Sequence, residues 1–176
     1  MPQRQRGFNL LELMIAMTIA TIVLSVGVPS FTAMIQNNRM VAQTNALLGT
    51  LNIARAEALK VNMQVTVCKS TDSATCNNGA SWQDGWITFI DNDANGERAV
   101  AETLLWTNPG LGAGSTLVSA SFDTFIAFAP NGLSLGSTAN AGFFRLCDER
   151  GVAEASDITV TRTGSSSAAD AVGGGC

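Results

Sequence analysis

Residues 6–31 read RGFNLLELMIAMTIATIVLSVGVPSF. From Phe8 to Val28 the run is apolar except for Asn9, Glu12 and a few hydroxyls. As a helix rising 1.5 Å per residue it spans about 31 Å, one bilayer core. The basic residues Arg4 and Arg6 precede it, which predicts a cytoplasmic N-terminus. Glu12 is the anomaly. A charge at mid-bilayer costs roughly 2.5–3.5 kcal/mol on insertion scales. What this carboxylate pairs with decides the reading of the whole chain.

Three readings compete. A cleaved secretory signal would use Ser25-Val26-Gly27 as its small-residue site, with Arg4 and Arg6 as the basic region. It leaves an acid inside the apolar region. A plain signal anchor leaves Glu12 equally unexplained. The third reading ends a leader at Gly7. Cleavage between Gly7 and Phe8 frees an α-amine four residues before Glu12. The positive N-terminus of one subunit then neutralises the Glu12 carboxylate of a neighbour.

That pattern resembles the class III signal of type IV pilins and type II secretion pseudopilins. These have a short basic leader ending in Gly, then Phe, then Glu as the fifth mature residue, then an apolar helix. Here they are Gly7, Phe8 and Glu12. The resemblance implies that an inner-membrane prepilin peptidase cuts after Gly7 and that the Phe8 amine is methylated. Pro29 falls where many of these helices bend, and a proline inside a helix predicts a kink.

Past Pro29 the pattern becomes amphipathic. Phe31, Met34, Ile35, Val41, Leu48, Leu51, Ala54, Ala58 and Leu59 recur at helical spacing. One helix is expected from about Phe8 to Lys60, softened at Gly49, its second half packed on a sheet through this stripe. From Val61 the period falls towards two. Strands are expected around 63–67, 86–90, 104–106, 116–118, 122–129, 142–147 and 157–161, with a turn at Asn131-Gly132. The Ser165–Gly175 tail reads as low-complexity chain, flexible unless Cys176 pins it. The expected fold is α+β: a long N-terminal helix on a mostly antiparallel β-domain. The divisions are a leader at 1–7, a membrane or filament-core helix at 8–30, its amphipathic half at 31–61, and a β-rich domain at 62–176.

Composition narrows the function. The chain has 176 residues, no His, no Tyr and a net charge of −4. Without Arg4 and Arg6, eight basic face fourteen acidic residues, a balance of −6. An acidic body repels phosphate backbones. Lacking His removes the commonest general base and metal ligand. Asp84, Asp91 and Asp93 have no nucleophile beside them, so no catalysis is expected. The four cysteines, Cys68, Cys76, Cys147 and Cys176, suit an oxidising compartment. Three pairings are possible. The sequence-local choice, Cys68–Cys76 with Cys147–Cys176, is favoured, worth about 2.5 and 3.5 kcal/mol by loop entropy. No C-x-x-C pair suggests zinc.

The β-domain adds to the resemblance. WQDGWITFIDNDANGERAVAETLLW is similar to the GW…F-x-D-x-x-x-x-G…E…L signature of GspH/FimT-like pilins. FAPNGLSLGSTANAGFFRLCDERG…SDITVTRTG is similar to the later part of FimT and FimU minor pilins. The implied role is a structural minor pilin in a priming complex at or near the pilus tip. Its partners would be other minor pilins, the major pilin and the prepilin peptidase. It would be stored in the inner membrane with its C-terminal domain in the periplasm, and end in the pilus at the cell surface. A type II secretion pseudopilin shares the signal and fold.

Two further sites need weighing. DNDANGERAVAE places Asp91, Asp93, Asn95 and Glu102 at calcium-loop positions one, three, five and twelve, with Gly96 at six. Strands, not helices, should flank it, and Arg98 stands where an apolar residue is usual. The plainer reading is a hairpin loop of turn-forming residues. Some FimT-like pilins bind DNA through a basic Gly-Arg motif after the last strand. Here Arg162 is followed by serines, and counterion release needs several basic residues together. Trp82, Trp86 and Trp106 read as core or rim aromatics rather than base-stacking groups.

Overall fold

The computed structural model describes residues 7, 9–112 and 114–176. The leader up to residue 6 and the proposed methylation residue Phe8 lie outside the described residues. One helix, α1, runs Leu10–Val61. Among the described residues nine strands follow: β1 Gln64–Lys69, β2 Trp86–Asp91, β3 Leu104–Asn108, β4 Thr116–Val118, β5 Phe125–Phe128, β6 Ser134–Gly136, β7 Gly142–Cys147, β8 Ser156–Val160 and β9 Ser166–Asp170. The chain divides into two compact units, residues 1–39 and Met40–Cys176.

In the first unit the helix starts at a cap. The Asn9 side chain accepts from the Leu11 N–H at 3.4 Å, a long version of the usual N-cap bond. Beyond it every described side chain up to Ile35 is exposed. The hydroxyls on this stretch are absorbed locally. Thr18 donates to the Met14 carbonyl at 2.7 Å, Thr21 to Met17 at 2.9 Å, Ser25 to Ile22 at 2.8 Å and Thr32 to Val28 at 2.9 Å. A helix that satisfies its own polar groups and presents apolar side chains outward suits a hydrocarbon solvent. Pro29 lies inside it.

In the second unit the helix buries Met40, Thr44, Leu47, Leu51, Ala54 and Ala58. Steps of three and four residues put these on one seam. Phe31, Met34, Ile35, Val41 and Leu59 from the expected stripe are exposed instead. The stripe predicted from sequence mixed two faces. Val41 follows Met40 by one residue, about 100° round the helix, so both cannot face the same core. Leu51, Ala54 and Ala58 lie on the seam as expected, and Leu48 packs beside it.

The strands form two antiparallel sheets, ordered β3-β2-β1-β5-β6 and β4-β7-β8-β9. β1 and β2 pair from Gln64↔Asp91 to Lys69↔Trp86. Alternation gives the first sheet two buried faces. Val65, Val67, Trp86, Ile126 and Phe128 join the helix seam in the main core, whereas Cys68, Ile87 and Phe89 form a smaller core on the other face. Phe144 of β7 brings the second sheet into the main core. Its ring centroid lies 5.1 Å from Trp82, edge-on, and 5.1 Å from Phe122, stacked. Ser134 ties the sheets together, its N–H donating to the Arg162 carbonyl at 3.1 Å and its hydroxyl to Thr161 at 2.8 Å.

Two strands were not expected. β6 has three residues, two of them Ser and Gly. β9 falls in the tail read as low-complexity chain, yet it pairs with β8 from Ser156↔Asp170 to Val160↔Ser166. The expected strand at 122–129 shortens to Phe125–Phe128, because Phe122 leaves the ladder to fill the core.

Candidate functional site

The first candidate is the head of α1. Gly7 and Glu12 are exposed. Glu12 lies in the first helical turn, where the positive end of the helix dipole favours an acid. Among the described residues Glu12 has no ion-pair partner. It is thus an exposed carboxylate at the start of an exposed apolar helix, available to a positive group on another chain. The sequence signal of the Asn9 cap is a capping residue just before an apolar run.

The second candidate is the loop after β2. Asp91, Asp93 and Glu102 come together with carboxylate oxygens within 4.8 Å of one another. The protein already supplies donors to them. Asp91 Oδ2 accepts from the Thr66 hydroxyl at 2.7 Å, the Gln64 amide at 3.0 Å and the Gly96 N–H at 3.0 Å. Asp91 Oδ1 accepts from the Asn95 N–H at 3.2 Å. Glu102 accepts from the N–H groups of Asn92 at 2.7 Å and Ala99 at 2.9 Å. Asp93 receives the Asn95 amide at 2.8 Å, while the Asn95 carbonyl oxygen accepts from the Glu97 N–H at 2.6 Å. A calcium ion takes six to eight oxygens. Here the oxygens of the two buried acids are engaged by donors from the loop and from β1, which suits a folded turn better than a cation site.

Arg98 clamps this loop to the preceding one. Its guanidinium donates to the Ala74 carbonyl at 2.7 Å and the Glu102 carbonyl at 3.0 Å. Ala74 lies within the loop closed by Cys68–Cys76. In that loop Asp72 accepts from the Thr75 hydroxyl at 2.6 Å and from the N–H groups of Thr75 and Ala74, both at 2.8 Å. The Thr75 hydroxyl, then those N–H groups, hold its carboxyl far below the ordinary carboxylate range.

The third candidate is the C-terminus. Cys147 is joined to Cys176 across 29 residues. Arg145, two residues before Cys147, forms a fork with Asp157, two bonds of 2.7 Å, and donates to the Gly173 carbonyl at 2.6 Å. The Asp157 hydrogen bonds raise the Arg145 pKa above its ordinary value. The tail is therefore held by a strand, an arginine and a disulfide. Arg162 is exposed in the β8–β9 turn among Thr161, Thr163 and Ser165, with no basic residue beside it in sequence. Asp84 accepts from the Ser81 N–H at 2.8 Å and so closes a short 3-10 turn. Trp82 and Trp86 are buried, with indole N–H groups donating to the Phe122 carbonyl at 2.7 Å and the Thr50 hydroxyl at 3.1 Å. Trp106 stands at the rim.

Residues 43–164 match the family of Type II transport protein GspH. The chain belongs to the GspH family. Residues 2–28 match the prokaryotic N-terminal methylation motif. No curated protein matches the chain. Among solved structures, the type IV minor pilin FimU of Pseudomonas aeruginosa superposes with a TM-score of 0.56 at 19% identity, covering 75% of this chain and 89% of that one. A second crystal form of FimU gives 0.54 at 18%, covering 73% and 90%. The minor pseudopilin EpsH of Vibrio cholerae gives 0.47 at 9%, covering 75% and 97%. The GspH-family chain thus has a pilin fold, one long helix with antiparallel sheets packed on its second half.

Proposed function

We propose that this GspH-family chain is a type IV minor pilin. It is cut after Gly7, methylated on Phe8 and stored in the inner membrane by the helix at 8–30, with its C-terminal domain in the periplasm. It then joins a pilus at or near the tip, with other minor pilins and the major pilin, and helps start assembly. The observation that carries this reading is Glu12, an exposed acid in the first turn of an exposed apolar helix. Its carboxylate pairs with the N-terminal amine of a neighbour, where a low dielectric strengthens the attraction and desolvation opposes it. The role is structural, with no catalytic step and no cofactor.

The test is the intact mass and N-terminal sequence of the mature chain, co-expressed with a prepilin peptidase. The expected product starts at Phe8 and is one methyl group heavier. A product starting near Val28 would replace this reading with an ordinary secreted protein. The family description favours one second reading, a subunit of a type II secretion system. Deletion separates the two: loss of pili and twitching supports the first, loss of exoprotein secretion the second.

A further inference from the structure

The second unit has four sheet edges, and they differ. β4 and β6 have three residues each. β9 contains only Ser, Ala and Asp. β3 reads LLWTN, with no charge and no proline. Short strands, charges and prolines keep an edge from pairing with another chain. β3 has only a bulge, between Thr88 and Phe89 of its partner β2.

The register shows which β3 groups are open. The Ile90 N–H donates to the Thr103 carbonyl at 2.9 Å. Backbone groups alternate sides along a strand, so Thr88 and Trp86 also turn towards β3. Their partners Trp106 and Asn108 turn back towards β2. The N–H and C=O of Thr107, an exposed residue, therefore face away from the sheet.

Beside this edge lies a groove of about 270 Å³. Its lining includes Ala46, Gly49 and Ile53 of α1, Trp86 and Thr88 of β2, and Trp106 of β3. None of its lining residues carries a charge. Trp106 is 43% exposed and Ile53 41%. Thr88 is 1% exposed, and its hydroxyl has no hydrogen-bond partner among the described residues. Buried hydroxyls are rarely left so. The groove is open at Gly49, where a Cβ would meet nothing within 4 Å.

We infer that β3 and this groove receive an extended, uncharged strand of a neighbouring subunit. The strand pairs with the N–H and C=O of Thr107. One of its side chains covers the half-exposed Trp106 ring. Open ladder groups next to the groove favour a polypeptide over a small molecule, because only a second backbone satisfies both. Charge favours this site over others. Met40–Cys176 holds seven basic and thirteen acidic residues, yet the groove's lining carries no charge, which matches an uncharged strand. The inference rests on the reading that the chain joins a filament.

The test uses the full-length chain in cells that assemble the filament. Thr107→Pro removes the outward N–H at a position where an edge strand accepts proline; Thr107→Val keeps it. The expected result is at least a tenfold loss from sheared filaments for Thr107→Pro and unchanged incorporation for Thr107→Val. Incorporation of Thr107→Pro at the unsubstituted level overturns the inference. A photoreactive side chain at position 107 guards against a folding defect. It should cross-link to an extended segment of another pilin; cross-linking only to lipid or glycan, or to nothing, overturns the inference. If the unsubstituted chain is itself absent from filaments, the pilin reading fails, and the inference with it.

Discussion

Glu12 is legible in sequence because it breaks a pattern, and the structure leaves it exposed with no intrachain ion pair among the described residues. Its placement favours an acid electrostatically, yet that effect alone needs no glutamate in an apolar segment. Intersubunit pairing does. Glu12→Val should therefore retain membrane insertion, since it makes the segment more apolar, and reduce incorporation into pili at least tenfold, measured by the amount of the chain in sheared filaments. Normal incorporation would sink the pairing argument. Asp72 shows what sequence does not reveal. Nothing in Ser-Thr-Asp-Ser-Ala-Thr marks it, because its three closest donors come from the fold of a disulfide-closed loop. Its folded pKa is depressed, so its contribution to stability is full well above the ordinary value of about 3.9. That contribution is lost as pH falls through this value towards the folded one. Asp72→Asn should lower the melting temperature at pH 7, and the difference from the unsubstituted chain should shrink at pH 2.

Elements were readable where they bury a period. Trp86–Asp91 and Gly142–Cys147 alternate or run apolar, and both are strands close to their expected bounds. β9 has no such signal. Ser-Ser-Ala-Ala-Asp buries almost nothing, and its ladder with β8 is held by the chain on either side of it. The helix seam was half legible, because Val41 and Leu59 are as apolar as the residues that are buried. Only packing tells them apart. Leu51 is fully buried on that seam, so Leu51→Ala should destabilise the second unit by about 2–5 kcal/mol. Leu59→Ala, at an exposed position, should fall within about 0.5 kcal/mol. Denaturant unfolding of the two variants checks the assigned face. The β2–β3 loop offers a sharper test. Gly96 has φ +80°, and a Cβ there would overlap the Phe125 ring. Its N–H also donates to buried Asp91. Gly96→Ala should cost about 1–3 kcal/mol. If the loop is a hydrogen-bonded turn, calcium should not rescue it, and calorimetry with calcium and with a chelator should show no binding heat.

At the scale of the molecule, the two disulfides act on different problems. Cys68–Cys76 closes a short loop over the smaller core. Cys147–Cys176 fixes the end of a tail that has little apolar surface of its own. The pairing could be expected from sequence because local loops close most readily. The consequence for β9 could not, since it depends on Arg145 reaching the Gly173 carbonyl. A strand with so little burial depends on such tethers for its order. In the chain-entropy account, opening a loop of 29 residues removes about 3.5 kcal/mol of stability. The Cys147→Ser, Cys176→Ser double variant should therefore unfold at lower denaturant by about that amount. The loss should not be uniform. The amides of Ser166–Asp170 should exchange with solvent much faster than those of β1 and β2, which are held by the helix seam and the main core. Equal acceleration of exchange in both regions would mean that β9 stands on its ladder alone. Selective loss in β9 would mean that the disulfide and Arg145 keep the second sheet four-stranded.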